Sequence, residues 1–177
     1  YLCFMNHPFL QAELSSDIVD LFPLREEDFE TLYEAASDPL IWEQHPNKDR
    51  YKREVFEVYF KGAMDSGGAY LIKDFIEDKV IGSTRYYDYD EKERSVFIGY
   101  TFIKRDYWGM GYNSKIKALM LQNAFFFVDK VFFHVGAQNV RSQIAMQRIG
   151  GIKVRELDVA YYGEPSRINF EYVIHKK

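Results

Sequence analysis

Lys104-Arg105-Asp106-Tyr107-Trp108-Gly109-Met110-Gly111-Tyr112-Asn113-Ser114 is the stretch on which the reading of this chain turns. Before it, Ser95–Ile103 reads as a strand. After it, Ile116, Leu119, Met120, Ala124 and Phe127 recur at spacings of three and four, the buried face of a helix. A strand, a G-x-G turn and a helix N-terminus form an anion cradle. Glycines let the backbone approach a ligand, and free N–H groups plus the helix dipole favour negative charge. Lys104 and Arg105 precede the turn, and Lys115 and Lys117 fall in the first part of the helix. A cation there opposes the dipole by about 0.3–1 kcal/mol, so the cluster makes more sense with an anion docked. Ser114 stands where a dinucleotide fingerprint needs a third glycine, no acidic ribose partner follows, and no G-K-[ST] phosphate loop is present. Taken alone, the turn fits a plain turn equally well.

Downstream, Val131–Gly136 is apolar on both faces, as a buried central strand would be. It ends in Ala137-Gln138-Asn139-Val140-Arg141-Ser142, where Asn139 fits the cap of a helix running to Gly150-Gly151. Upstream, Ile18–Leu24 reads as a short edge strand, because Pro23 would cost a ladder bond in a central one. From Arg25, the residues Phe29, Leu32, Tyr33 and Ala36 mark a helix that Asp38-Pro39 ends. A second helix is expected from Pro46 to about Met64, with Val55, Phe56, Tyr59, Phe60 and Ala63 inward and Gly67-Gly68 closing it. The period then changes to two: Ala69–Phe75 and Lys79–Tyr87 form a hairpin across Glu77-Asp78.

The 177 residues fit one domain spanning 1–177, with 1–17 as an N-terminal extension. Lys+Arg 23 against Asp+Glu 27 gives a net charge of −4, which argues against a nucleic-acid partner. Cys3 is the single cysteine, so neither an internal disulfide nor a Cys-rich metal site is expected. The longest apolar runs, Ala124–Val128 and Val131–Phe133, are far too short to span a membrane. The segment Tyr1–Asn6 lacks the basic residues and cleavage site of a signal peptide, so a soluble cytoplasmic setting is expected. An aromatic content of 18% suits a small mixed sheet and also aromatic walls around a ligand; pairing with a second copy through such a surface stays open.

Three segments together resemble the GNAT N-acetyltransferase superfamily, in particular the branch of ribosomal-protein N-terminal acetyltransferases. They are Ile98-Gly99-Tyr100, the turn from Tyr107-Trp108 to Tyr112-Asn113, and Asn139-x-x-Ser142 with Gly150-Gly151 behind it. Ile152–Leu157 and Ile168–His175 fit the final hairpin. The resemblance implies an α+β fold, a mixed and mostly antiparallel sheet flanked by helices, with a V-shaped cofactor cleft between two central parallel strands. It implies acetyl-CoA as the acyl donor. The diphosphate would rest on Trp108, Gly109, Met110, Gly111, Tyr112, Asn113 and Ser114, with Lys104 at the lead-in. The pantetheine arm would pair with the strand end at Phe102 and Ile103, with Asn139 opposite and Ser142 beside the thiol. An amine would attack the thioester directly, without an acyl-enzyme, and Cys3 is remote from these motifs. The chain departs from the pattern where many members carry a Glu (here Phe97) and a Tyr acid (here Met146), and Asp106 stands where Gln or Arg is usual.

Amine attack needs a proton removed first, because an alkylamine has a pKa of about 10.4 and an α-amine about 8. The candidate bases are Glu43 and His45, in the connector Trp42-Glu43-Gln44-His45-Pro46. Ser142 is a third catalytic candidate. His134, on the buried strand, is the rival base, and a satisfied core histidine is its plain reading. Trp42, Tyr86 and Asp88 are candidates for the acceptor pocket, although Trp42 fits a core plug as well. Acidic turns at Asp88–Glu93 and Asp74–Asp78 would suit a cationic acceptor, and equally a solvated turn. The expected activity is N-acetylation of a primary amine, a peptide N-terminus or a small amine. A non-catalytic acyl-CoA-binding module of the same fold is the alternative, and a plain protein-interaction domain a third.

Overall fold

A computed structural model describes residues 7–161 and 163–177, so Cys3 lies outside the described residues. The chain folds into one mixed sheet. In spatial order it runs β1 (Leu14–Ser15), β2 (Val19–Pro23), β3 (Ala69–Asp74), β4 (Val80–Asp90), β5 (Ser95–Ile103), β6 (Lys130–Gly136), β8 (Ser166–His175) and β7 (Ile152–Ala160). Every neighbouring pair is antiparallel except β5 and β6. This is the α+β architecture expected.

The two faces are covered differently. Helices α1 (Phe29–Ala36) and α2 (Arg53–Ser66) close one face over Leu71 and Phe102, burying Leu32, Phe56, Tyr59 and Ala63. Helix α3 (Tyr112–Ala124) closes the other through Ile116, Met120 and Ala124, and α4 (Val140–Arg148) adds Met146 to that side. Gly67 ends α2 in the left-handed conformation at φ 66°.

Two sequence expectations shift. Helix α2 begins at Arg53 rather than after Pro46. Asn47 accepts from the Asp49 N–H (2.9 Å), and the Lys52 N–H bonds to the Asp49 carbonyl (2.9 Å), so turns compete successfully with helix there. Strand β2 is one place in from the edge. Its outer neighbour β1 pairs only with Leu21 and Asp20, and the Leu24 N–H points to β3, so the Pro23 nitrogen faces the side where no ladder exists. The described part of the N-terminal extension packs onto the sheet: Phe9 is buried, its carbonyl accepts from Asn123 Nδ2 (2.9 Å), and Tyr70 donates to the Ala12 carbonyl (2.9 Å).

The feature that positions everything else is the parting of β5 and β6. They pair at Ser95–Lys130, Val96–Val131 and Phe97–Phe132, and no further. Strand β6 stays paired to β8 as far as Gly136–Asn169. The outer half of β5 therefore presents an unpaired backbone edge to an open wedge. On its other side β5 bulges, since Ser83 opposes Phe102 while Arg85 opposes Gly99. Tyr100 sits in the bulge at φ 54°, a left-handed conformation that a bulky residue adopts only under constraint. The Tyr59 hydroxyl, donating to the Tyr100 carbonyl at 2.5 Å, supplies part of that constraint.

Candidate active site

At the mouth of the wedge the glycine turn meets α3. Gly109 and Gly111 have φ of 72° and 86°, and a Cβ on either would meet nothing within 4 Å. Their requirement is conformational, not spatial. Gly111 caps α3 with no side-chain bond, so the N–H groups of Tyr112, Asn113 and Ser114 keep no partner within the helix. The Lys115 N–H already donates to the Gly111 carbonyl (3.1 Å). Trp108 pins the turn to the sheet, Nε1 donating to the Ile103 carbonyl (2.8 Å), and the Arg141 guanidinium lies 3.8 Å over its ring. That stack links α4 to the turn across the mouth.

Behind the mouth lies a cleft of about 420 Å³. Its walls include Phe102, Ile103, Trp108, Gly109, Gly111, Tyr112, Asn113, Ser114, Asn139 and Ser142, so ten of the residues expected to hold the cofactor come together. Asn139 is 4% exposed and caps α4, its Oδ1 accepting from the Ser142 N–H (3.1 Å). The cap reading and a place in the cleft hold together. No carboxylate lines the cleft among the described residues.

At the inner end, just past the last β5–β6 pair, His134 enters the cleft from β6. The antiparallel register sets it opposite Glu171 of β8, and His134 Nε2 lies 2.7 Å from Glu171 Oε2. Arg155 of β7 grips the same carboxylate at 2.8 and 3.2 Å. Burial raises the Glu171 pKa, but the hydrogen bonds from Arg155 and His134 outweigh it, and the carboxyl sits below its ordinary value. An ionised carboxylate thus orients an imidazole at the point where the strands part. Phe97 stacks on that imidazole with ring centres 4.8 Å apart. From sequence, His134 was visible as a rival base; Glu171 and Arg155 carried no signal, because only strand register unites them.

Several expected site residues lie elsewhere. Trp42 is 0% exposed and bonds the Ala36 carbonyl through Nε1 (2.8 Å), so it plugs the core and cannot meet an acceptor. Tyr86 is equally buried, donating to the Met120 carbonyl (2.5 Å). Asp88 is exposed at φ 49° and off the cleft wall. Partial desolvation of its carboxyl raises the pKa, with His134 pulling the other way. Glu43 is exposed and off the wall too. His45 does line the cleft, but burial, then the charges of Arg50 and Arg141, lower its pKa to about 3, too weak a base to take a proton from an amine.

Lys104 and Met110 do not line the cleft: the Lys104 N–H bonds the Ile81 carbonyl (2.8 Å), and the Met110 side chain is exposed. The cation cluster dissolves as well. Lys115 pairs with Asp17 at 3.0 Å, Arg105 with Asp38 at 2.5 Å, and Lys117 turns inward. Arg141 and Arg148 line the cleft instead.

Comparison with known proteins gives one answer. The family described as "Acetyltransferase (GNAT) domain" matches residues 19–152. No curated protein matches the chain by sequence. Among solved structures, a GCN5-related N-acetyltransferase from Brucella melitensis superposes with a TM-score of 0.81 at 16% identity, covering 93% of this chain and 79% of that one. A GNAT-family acetyltransferase from Bacillus anthracis gives 0.74 at 17%, covering 93% and 98%. RimJ from Mycobacterium smegmatis, solved in complex with CoA-disulfide, gives 0.71 at 16%, covering 93% and 86%. Likeness at such identities speaks for the fold, and the family match over most of the chain agrees with the parted strands and the capless helix: the chain belongs to the GNAT acetyltransferase family.

Proposed function

We propose that this protein is an acetyl-CoA-dependent N-acetyltransferase that acetylates a primary amine, a peptide N-terminus or a small amine, in the cytoplasm. The observation that carries the reading is the wedge itself, with unclaimed amides at one end and a carboxylate-oriented imidazole at the other. The RimJ structure holding a CoA derivative on the same fold supports the choice of donor.

The residues divide the work by position. The N–H groups of Tyr112 to Ser114 meet the diphosphate, with the α3 dipole behind them. The unpaired edge of β5 from Ile98 outward offers backbone partners to the amides of the pantetheine arm, as a sheet edge does to an added strand. Ser142 and Asn139 close the opposite wall. His134 takes a proton from the incoming ammonium, and ionised Glu171 steadies the imidazolium so formed. The neutral amine then attacks the thioester carbon, and CoA leaves as the thiol. A base so placed contributes about 10²–10⁴ in rate.

A thermal shift series with acetyl-CoA, CoA and ATP tests the cofactor. Ligand at 100 times its Kd adds about 2.7 kcal/mol, which for a chain of this size moves Tm by roughly 5–10 °C. A shift with both CoA species and none with ATP is expected; no shift with any overturns the reading. CoA release across a panel of amines then separates an enzyme from a binding module.

A further inference from the structure

Strand β7 ends the sheet with its outer edge free. Among the described residues it pairs with β8 alone, and none of its backbone groups bonds anywhere else. Ile152 to Glu156 are exposed in succession, so neither face of that half is covered. Ile152 and Val154 are 59% and 48% exposed. An open edge carrying branched apolar side chains is a template for another strand. Three charged residues of β7, Lys153, Glu156 and Asp158, form no ion pair among the described residues.

A break in the register decides what the edge accepts. Lys153 opposes Tyr172 of β8 and Arg155 opposes Glu171, so Val154 is an extra residue, a bulge. The alternation of side chains restarts there. Ile152, Arg155, Leu157 and Val159 fall on the face of Glu171 and Val173, and Lys153, Glu156 and Asp158 on the face of Phe170 and Tyr172. A closed dimer of two antiparallel strands has its two-fold axis normal to the sheet, so residues set opposite each other must share a face. With the axis at Glu156, Ile152 meets Val159 and Lys153 meets Asp158, twice each, and Leu157 meets the bulge. Without the bulge, Ile152 and Val159 would lie on opposite faces. Moving the axis to Leu157 sets Glu156 against Asp158 twice. Moving it to Arg155 sets that guanidinium against its own copy and shortens the ladder. The one like-charged pair left, Glu156 with its copy, has an ammonium close by: Lys153 Nζ lies 3.3 Å from the ring centre of Phe170, the residue opposite Glu156.

We propose that β7 is the docking edge for a second copy of this chain, joined antiparallel about Glu156 so that two eight-stranded sheets become one. Symmetry repeats every favourable cross-strand pair. The edge also adjoins the cleft. Arg155, 63% exposed in the single chain while it holds Glu171, comes to lie beside Leu157 of the second copy. Docking therefore covers the side chain that fixes Glu171 and, through it, His134. None of this depends on which reaction the cleft performs.

Sedimentation of the full chain from micromolar to submillimolar concentration reads the equilibrium in wild type, Lys153→Asp and Asp158→Lys. Both positions are exposed, so Tm should hold in either variant. Each single variant brings like charges together at both contacts, and its dimer should weaken about tenfold or more. An equimolar mixture of the two variants restores opposite charges at both contacts and should recover the wild-type dissociation constant. Glu156→Cys in a Cys3→Ser background should form an intermolecular disulfide under mild oxidation, because opposed Cα atoms stand about 4.5–5.5 Å apart, while Asp158→Cys should not. A wild type that stays monomeric throughout, leaving the edge to solvent or to a strand of another protein, overturns the proposal. So does a dimer indifferent to both charge reversals, or one that the mixture fails to restore.

Discussion

Two histidines line one cleft, and their surroundings differ. His45 is packed between Trp42 and the charges of Arg50 and Arg141, so its protonated form is disfavoured. His134 has the Glu171 carboxylate at 2.7 Å from Nε2, which fixes the orientation of its ring. Replacing His134 with Gln should lower the rate of CoA release about 10²–10⁴-fold while leaving acetyl-CoA affinity unchanged, whereas Glu43→Gln should leave both unchanged. Equal loss of rate and affinity in His134→Gln would mark a structural residue. At the mouth, Gly111→Ala forces an alanine to φ 86°, at a cost of about 1–2 kcal/mol. Acetyl-CoA affinity measured by calorimetry should fall about tenfold, since the turn must relax away from the conformation that aims its amides.

Among the elements, the connector before α2 is tied to the last hairpin by a single buried clamp. Arg50 reaches from the connector to Glu164 in the β7–β8 turn at 3.0 and 2.9 Å, with both side chains under 10% exposed. Trp42, Tyr59, Tyr100 and Tyr161 surround the guanidinium at 5.3–5.9 Å. Glu164→Gln leaves that charge buried without its partner and should cost about 3–5 kcal/mol in urea unfolding, while removing both partners together should cost much less. None of this is visible in sequence, since the residues lie 114 apart.

The same divide runs through the site. The β5–turn–α3 unit and the Asn139 cap were legible because local periodicity, glycine conformation and capping chemistry fix them within a few residues. The four cations around the turn were legible as residues but not in meaning, because Asp17 and Asp38, distant in sequence, neutralise two of them. Trp42 and Tyr86 looked available for substrate because nothing in sequence reveals which way a side chain faces in a packed core. The His134–Glu171–Arg155 set required the register of three strands, which no local pattern states.

For the whole molecule, His45, Lys117 and Glu171 tilt stability one way with pH, against Asp88, whose raised carboxyl pKa works the other way. The folded pKa of His45, about 3, lies below the unfolded value of about 6.5, so the unfolded chain binds the extra proton as pH falls between them. Lys117 acts likewise between about 10.4 and about 7, and Glu171, with its lowered folded pKa, loses its stabilising contribution as pH falls below its unfolded value of about 4.3. Tm should therefore decline as pH drops from 10 to 7 and again below about 6.5. His45→Asn should flatten the step between about 6.5 and 4, and an unchanged profile in that variant would assign the step to other groups. No helix among the described residues is long and apolar enough to cross a membrane.

The sequence contains two tryptophans, and the fold puts them to different uses. Trp42 is sealed from solvent, while Trp108 stands half-buried at the mouth with a guanidinium against its face. Any molecule settling on the glycine turn has to disturb the second indole and cannot touch the first. The emission of one ring is thus a built-in optical gauge of cleft filling, and the other an internal standard for it.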